Sequence, residues 1–144
     1  FQLSEYWMPD LGGRERWRQH AENTARVLNE INPHYIRSRP LVPRQGTEIF
    51  EDYRQGRFHI SSPHERLEEL KLMIEMLNVT GRVCFDHNMN AWTGRNGGTL
   101  FHMDYEGYKF PEEKPRVLEL IHEGLMVDES RHIDIKELVA MGSL

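Results

Sequence analysis

The stretch that decides the fold is QLSEYWMPDLGGRERWRQHAENTARVLNEINPHYIRSRPLV, residues 2–42. Its first residues, rich in aromatic side chains, predict a strand that ends at the turn Pro9-Asp10-Leu11-Gly12-Gly13. A helix is expected from about Arg14 to Ile31, because apolar or small residues recur there on one helical face. The residues of that face are Trp17, Ala21, Thr24, Leu28 and Ile31. Asn32-Pro33 ends the helix, and a second strand is expected from Tyr35 to Val42.

The alternation of strand and helix continues to residue 85. Thr47 can cap a short helix that runs to about Gln55. The sequence Ser62-Pro63-His64-Glu65 has the pattern of a capping box with Pro at the first helical position, and it opens a helix to Leu77. A third strand is expected from Val79 to Phe85. Repeated strand–helix–strand steps predict a parallel sheet with helices packed on it.

Residues 86–110 interrupt this pattern, since they are rich in Gly, Asn and aromatic residues and lack helical periodicity. They predict a long loop or an irregular hairpin, and loops of this length are usually functional or mobile. A further helix is expected from about Pro111 to Leu125, with Val117, Leu118, Ile121 and Leu125 facing inward. Asp134-Ile135-Lys136-Glu137 resembles another capping box, for a short terminal helix to about Met141.

These elements predict an α/β fold, one domain over residues 1–144 that forms part of a (β/α) barrel. A closed barrel of this type needs about 250 residues, far more than the 144 present. The edges of a sheet with three parallel strands must be covered by the long loop and the tail, or by another chain. We therefore expect exposed sheet edges through which the chain could form a homo-oligomer.

Composition excludes several classes of function. Hydrophobic residues make up 38% and charged residues 28%, the balance of a soluble globular protein. The net charge of −5 argues against nucleic-acid binding, which needs a basic face. No apolar stretch approaches the length of a membrane span, and residues 1–5 do not resemble a signal peptide. The single cysteine, Cys84, excludes an internal disulfide and an all-cysteine metal or iron–sulfur site, so the cytoplasm is the expected compartment.

Several segments together resemble the C-terminal half of a radical S-adenosylmethionine (SAM) protein. The group is that of the oxygen-independent coproporphyrinogen oxidases and the methylthiotransferases. The similar segments are residues 6–15 (YWMPDLGGRE), 25–33 (ARVLNEINP), 35–37 (YIR), 41–43 (LVP) and 45–47 (QGT). The resemblance continues through the helix of residues 62–77, the strand end Cys84-Phe85-Asp86-His87, and Pro111-Glu112-Glu113-Lys114. It covers roughly residues 4–125 and is more specific before Asn88 than after it.

The resemblance implies a TIM-like barrel enzyme whose [4Fe–4S] cluster reduces SAM. The Cys-x-x-x-Cys-x-x-Cys loop that holds such a cluster is absent from this sequence. The cluster-binding strands are therefore expected in a missing N-terminal part, which would be the chief partner of this chain. On this interpretation the chain alone is inactive and binds no cofactor, whereas the whole enzyme uses SAM and [4Fe–4S]. The resemblance does not identify the substrate.

The same resemblance implies SAM contacts at the first turn, Asp10, Leu11, Gly12 and Gly13. This turn is similar to the Gly-rich segment that lies against SAM at the end of the fifth barrel strand. Glycine allows close backbone approach, and the N-terminus of the following helix can present N–H groups to a polar ligand. Two positions depart from the family pattern, since Asp10 stands where Gly is common and Gly13 where many relatives have an acidic residue. A ligand role predicts that bulky substitution at Gly12 or Gly13 abolishes SAM binding without unfolding.

The strand from Ile36 to Val42 resembles the sixth barrel strand, whose end meets the adenine of SAM, so Arg37, Arg39 and Leu41 are further candidates for cofactor binding. Arg37 and Arg39 alternate to one face of the strand. They point either into the barrel lumen, toward a SAM carboxylate or the substrate, or along a solvated strand edge.

Asp86 and His87 are the candidate catalytic residues, because they follow a strand at the end where α/β enzymes place their sites. They could move protons or orient a substrate, and the alternative is a structural, hydrogen-bonded His. We assign no metal ligands: the pair His59 and His64, and the set His87, His102 and Asp104, both lack a recognised zinc spacing. Cys84 is expected to be a small core residue.

Aromatic residues recur through the predicted loop and its flanks. They are Trp92, Phe101, Tyr105, Tyr108 and Phe110. Such residues could stack on nucleobases, but Asp104 and Glu106 are interleaved with them. We instead expect them to hold the loop across the open end of the barrel.

Three hypotheses follow. The first is the SAM-side and substrate-side wall of a radical SAM enzyme. The second is a non-catalytic interaction or dimerisation domain without affinity for SAM. The third is an independent small α/β enzyme that uses Asp86 and His87.

Overall fold

Strands and helices alternate through the first half of the chain, as the sequence predicts. The computed structural model describes residues 1–142; residues 143 and 144, the end of the predicted domain, lie outside the described part. The elements are β1 (Ser4–Trp7), α1 (Gly13–Ile31), β2 (Tyr35–Ser38), α2 (Glu48–Arg54), α3 (Pro63–Met76), β3 (Arg82–Cys84), β4 (Tyr108–Lys109), α4 (Lys114–Met126) and α5 (Ile135–Ala140). A short 3₁₀ helix, Glu129–Arg131, precedes α5.

The four strands form one open, mixed sheet in the order β1-β2-β3-β4. β1, β2 and β3 are parallel, which confirms the predicted parallel sheet, and β4 is antiparallel to β3. In the register, Tyr6 lies beside Arg37, and Arg37 lies beside Cys84. β4 falls inside residues 86–110 and pairs with β3, and Thr93 and Thr99 form an isolated antiparallel bridge. Of the two predicted alternatives, the irregular hairpin is therefore closer to the structure than the loop. β4 has only two residues, too few for an alternation of apolar and polar side chains to predict a strand from the sequence.

The two faces of the sheet have different surroundings. Trp7, Ile36, Val83 and Phe85 pack into one hydrophobic core with residues of α1, α3 and α4. The intervening side chains project from the opposite face, because successive residues of a strand alternate between faces. We call this opposite face the polar face; it comprises Tyr6, Tyr35, Arg37, Arg39, Arg82, Cys84 and Asp86. Backbone carbonyls of Tyr105 and Glu106 meet it from the loop.

The helix starts follow the predicted capping chemistry. Thr47 Oγ1 accepts a hydrogen bond from the N–H of Phe50 at the start of α2. Ser62 and Glu65 form the reciprocal capping box of α3, with Pro63 in the first turn. The carboxylate of Asp134 caps α5 through the N–H of Lys136 rather than through the predicted box.

The inner face of α1 differs from the predicted one. Ala21, Ala25 and Leu28 are buried, whereas Thr24 is only half-buried and Ile31 is exposed. Two alanines one turn apart let α1 approach α3 closely, so small size rather than apolar character selects the contact positions. In α4, similarly, Leu120 and Gly124 are buried, and the predicted Leu118 and Leu125 are only half-buried.

The aromatic residues of the loop hold it in place, as predicted, and they do so by entering the hydrophobic core. Trp92, Phe101, Tyr108 and Phe110 are all buried. The ring of Phe101 stacks on that of Phe85, with centroids 4.0 Å apart. Tyr105 alone of the five is exposed, at 68%. Burial of four rings explains how a long segment with little regular structure is held in place.

Within residues 1–142, no helix combines the length and the apolar character that crossing a lipid bilayer requires.

Candidate functional site

Two arginines and one aspartate meet where β2 and β3 end on the polar face. Asp86 accepts a forked pair of hydrogen bonds from Arg39, at 3.2 and 3.3 Å. Its Oδ2 also lies 3.2 Å from Nη1 of Arg37. The shared face that the spacing of Arg37 and Arg39 predicts is therefore present, and the sequence did not reveal that Asp86 lies between them. The carboxylate joins the ends of two neighbouring strands.

The arginines hold Asp86 in its charged form. Burial alone would raise the pKa of Asp86, but hydrogen bonds from Arg39 and the charges of Arg39 and Arg37 outweigh it and keep the pKa below its usual value. A carboxylate in this state is a poor proton carrier at neutral pH and a good anchor for cations. Asp86 is thus better suited to orienting the two guanidinium groups than to general acid–base chemistry.

Aromatic rings enclose the buried guanidinium of Arg37, which is only 3% exposed. Its central carbon lies 3.8 Å from the ring centroid of Tyr105 and 4.8 Å from that of Tyr35. The carbonyl of Tyr105 accepts a hydrogen bond from Arg37 at 3.2 Å. Arg39 lies over the ring of Tyr6, at 4.9 Å. Cation–π contacts of this kind fix the orientation of a guanidinium while leaving some of its N–H groups for a ligand.

His87 follows Asp86 directly but has a different environment. The N–H of Met89 donates to Nδ1 of His87 at 3.2 Å, so the proton of the neutral ring resides on Nε2. Burial lowers the pKa of His87, and the positive charges of Arg39 and Arg44 lower it further, against the opposing charge of Asp86. The neutral ring offers an N–H donor at Nε2. Asp86 and His87 are adjacent in sequence, but their side chains have different roles. Asp86 is the charged partner of two arginines, and His87 is a neutral N–H donor.

The turn after β1 directs Asp10 into the protein instead of toward a ligand. The side chain is fully buried, and its φ of 71° is the left-handed region that glycine adopts most easily. Oδ1 accepts a hydrogen bond from the N–H of Ser61 at 3.3 Å, and Oδ2 has no partner within the described residues. The N–H of Asp10 donates to Glu69. These contacts anchor the turn on α3.

Two N–H groups at the start of α1, expected to be available to a ligand, are satisfied inside the protein, which corrects that expectation. The N–H of Gly13 donates to the carbonyl of Asp10 at 2.9 Å, and that of Arg14 donates to the carbonyl of His59 at 3.0 Å. Within the turn, the side chain of Leu11 is the part turned to solvent, at 47% exposure.

Gly12 and Gly13 are required by packing. A Cβ on Gly12 would lie 2.8 Å from the carbonyl oxygen of Arg16, and one on Gly13 would lie 3.0 Å from that of His59. Gly13 also has a φ of 61°, which disfavours any other residue. A bulky substitution here would distort the start of α1, so it cannot separate ligand binding from folding as the sequence analysis expected.

The turn and the end of β2 run side by side beyond the strands. The N–H of Arg39 donates to the carbonyl of Trp7 at 2.7 Å, and that of Leu41 donates to the carbonyl of Pro9 at 3.0 Å. Leu41 is buried, so the backbone of this segment, rather than its side chain, is what lies beside the turn. The candidate residues that follow β1 and those that follow β2 therefore lie side by side at the carboxyl ends of the two strands.

A buried polar cluster beneath these strand ends was missed by the sequence analysis. Glu69, completely buried on α3, accepts hydrogen bonds from His20 at 2.6 Å and from the backbone of Asp10. Arg66, 1% exposed, stacks over the ring of Trp92 at 4.8 Å, and its Nε and Nη2 have no partner within the described residues. Charged residues on a predicted helix suggest a solvated face, so no local signal distinguishes these two from their exposed neighbours.

The burial of Asp10 in this cluster has an electrostatic consequence. Loss of water raises the pKa of Asp10 to about 6, with a smaller contribution from the charge of Glu69. The hydrogen bond from Ser61 and the charge of Arg66 act in the opposite direction. Asp10 therefore changes its charge close to neutral pH.

The remaining candidates give no metal centre. No group of three or more His, Cys, Asp or Glu within residues 1–142 is arranged to hold a metal ion. His59 pairs with Glu15, and His102 pairs with Asp104 at 3.0 Å. Cys84 is buried, as predicted, and burial raises the pKa of its thiol to about 11, so it stays protonated.

Tyr6, Tyr35 and Tyr105 belong to this site, and the sequence analysis did not assign them to it. Tyr35 alternates with Arg37 and Arg39 and could have been assigned to their face by spacing. Tyr105 arrives from the loop, 68 residues after Arg37, and no local pattern indicates that contact.

Comparison of the chain with protein-family models, with curated proteins and with solved structures finds no match.

Proposed function

We propose that this chain forms the SAM-facing and substrate-facing wall of a radical SAM enzyme whose cluster is held by a missing N-terminal part. The observation that carries the proposal is the division between the two faces of the parallel sheet. Helices pack on one face, and the other carries arginines, tyrosines and Asp86 at the carboxyl ends of the strands. Such an arrangement suits a segment of a (β/α) barrel, in which the strand side chains opposite the helices line the lumen.

The chemistry of the polar face supports a role in binding the carboxylate of the cofactor. A SAM carboxylate needs a cation in a fixed orientation, and Arg39, 24% exposed at its side chain, is held by Asp86 and Tyr6. The adenine is proposed to lie against the end of β2 near Leu41, as the resemblance implies. The sequence resemblance over residues 4–125 supplies the identity of the cofactor.

The test uses the natural gene product that contains this chain, purified without oxygen. We expect about four irons and four sulfides per molecule and cleavage of SAM to 5′-deoxyadenosine under reducing conditions. Arg39→Gln is expected to reduce SAM affinity about tenfold, because it removes a charge-assisted hydrogen bond. Arg18→Gln, at an exposed arginine on α1, is the matched control and is expected to leave SAM affinity unchanged. An iron-free, folded gene product without affinity for SAM would refute the proposal.

A non-catalytic interaction domain is the second candidate, and the open edge of the sheet favours it. β1 is an edge strand, and Tyr6 on it is 70% exposed. Unpaired strand edges invite pairing with another chain. Sedimentation equilibrium would show a dimer that Tyr6→Lys dissociates, together with no SAM binding. A monomer at all concentrations would exclude this candidate.

The cytoplasm is the compartment we propose, on the argument from the single cysteine.

A further inference from the structure

A cleft lies beside the candidate site and is not used by the proposed SAM contacts. It has a volume of about 360 Å³ and lies between the segment that follows β2, the turn that follows β3, and α5. Its apolar lining comprises Val42, Phe50, Met89, Leu138, Val139 and Met141. This volume falls in the range of clefts that hold small organic ligands.

Positive charge and hydrogen-bond donors gather at one side of the cleft. Arg44 and His87 line it, and no Asp or Glu occurs among the described residues of its wall. The guanidinium of Arg44 has no carboxylate within 4 Å in the part of the chain that the structure describes. Asp86, which directly precedes His87, is already shared by Arg37 and Arg39, and Glu48, four residues after Arg44, is not part of the cleft wall. An anionic group in the cleft would therefore meet the positive charge of Arg44 and no carboxylate of the described wall.

The tautomer of His87 adds a directed donor. Because Nδ1 accepts the N–H of Met89, the ring presents its N–H at Nε2. Arg44 supplies a charged fork and His87 a neutral donor, a combination that suits a carboxylate or a similar oxyanion. The apolar lining, in turn, suits a hydrocarbon body attached to it.

We infer that the cleft binds an organic anion with an apolar body, with Arg44 and His87 receiving the anionic group. The inference deepens the proposed function. It rests on that function only where it identifies this ligand as the substrate. The cleft lies next to Asp86 and His87, so a ligand in it would extend toward the strand ends that form the proposed SAM wall.

The test is an NMR titration of the natural gene product that contains this chain with octanoate and, separately, with octanol, both in the absence of SAM. We expect saturable binding of octanoate with a Kd of about 1 mM, the affinity usual for so small a ligand, and binding of octanol about tenfold weaker. The largest chemical-shift changes are expected at Met89, Leu138 and Val139, which line the cleft.

Two variants separate the charged end of the cleft from its apolar end. Arg44→Gln, at an exposed position, is expected to weaken octanoate about tenfold and to leave octanol unchanged. Leu138→Ser is expected to weaken both ligands. Arg116→Gln, at an exposed arginine on α4, is the control and is expected to change neither affinity.

Three results would overturn the inference: equal affinity for the two ligands, octanoate binding that Arg44→Gln does not weaken, or shift changes confined to another surface. Because SAM is absent from the titration, its outcome is independent of the iron analysis. If an iron-free gene product binds octanoate as described, the anion-binding cleft is supported and the proposed radical SAM function is refuted. If the gene product contains the cluster but its cleft fails these tests, the proposed function is supported and the anion-binding cleft is refuted.

Discussion

Asp10 is a carboxylic acid that folding removes from water while only one of its oxygens gains a partner. Its pKa of about 6 in the folded chain lies above the usual 3.8. Between these two values the folded state keeps a proton that the unfolded state releases. The free energy of unfolding therefore falls as the pH rises from about 4 to about 6, and stays reduced above that.

Asp10→Asn is expected to remove this pH dependence, because the amide keeps an oxygen for Ser61 and carries no charge. The gain in the free energy of unfolding should grow from little at pH 4 to at most about 3 kcal/mol at pH 7. Urea denaturation at a series of pH values measures it. Glu68→Gln, at an exposed carboxylate on α3, is the control. A constant difference between Asp10→Asn and the parent at all pH values would contradict this account.

Asp86 stabilises the chain through the buried arginine that it pairs with. Asp86→Asn leaves the Arg37 guanidinium, 3% exposed, without a counter-charge, and should lower the free energy of unfolding by about 3 kcal/mol. The matched control is Glu106→Gln, which breaks the exposed pair with Arg82 and should cost less than about 1 kcal/mol. Chemical denaturation at neutral pH compares the two. Equal losses would mean that the Arg37–Asp86 pair contributes no more than a surface ion pair.

At the scale of elements, the start of α1 depends on the absence of a side chain at Gly12. A methyl group there would lie 2.8 Å from the carbonyl oxygen of Arg16 and 3.0 Å from Cβ of His20. Gly12→Ala should lower the free energy of unfolding by about 1–3 kcal/mol because of this overlap. Gly98→Ala is the control, because its methyl group would meet nothing within 4 Å, and its effect should stay within about 0.5 kcal/mol. Thermal denaturation followed by circular dichroism distinguishes them, and similar effects of both changes would argue against the overlap.

At the scale of the whole molecule, the open sheet predicts a gradient of protection from hydrogen exchange. β2 is paired on both sides, whereas β1 is paired on one side only. Peptides that cover residues 35–38 should exchange at least about tenfold more slowly than those that cover residues 4–7. Mass spectrometry at low protein concentration measures the two rates. Equal protection would show that the edge of β1 is covered, and dilution would then reveal whether a second copy covers it.

The sequence predicts what depends on neighbouring residues. The caps at Thr47 and Ser62, and the parallel order of the first three strands, follow from short patterns and are found. Contacts between distant segments do not follow from such patterns. Asp86 lies 47 residues after Arg39, and Glu69 lies 49 after His20. No periodicity indicates that a charged residue on a helix will be buried by a partner from another element, so the site's ion pairs and the cluster around Glu69 emerge only with the fold.

Two guanidinium groups sharing one carboxylate leave the set of Arg37, Arg39 and Asp86 with an uncancelled positive charge, in a molecule whose net charge is −5. An approaching anion is repelled by the net charge of the molecule and attracted by this local positive charge, so the long-range field guides its diffusion before any contact forms. Added salt shortens the reach of that field from about 30 Å at 0.01 M to about 3 Å at 1 M. The encounter rate of an anionic ligand should accordingly fall with ionic strength, while its departure, governed by short-range contacts, should change little.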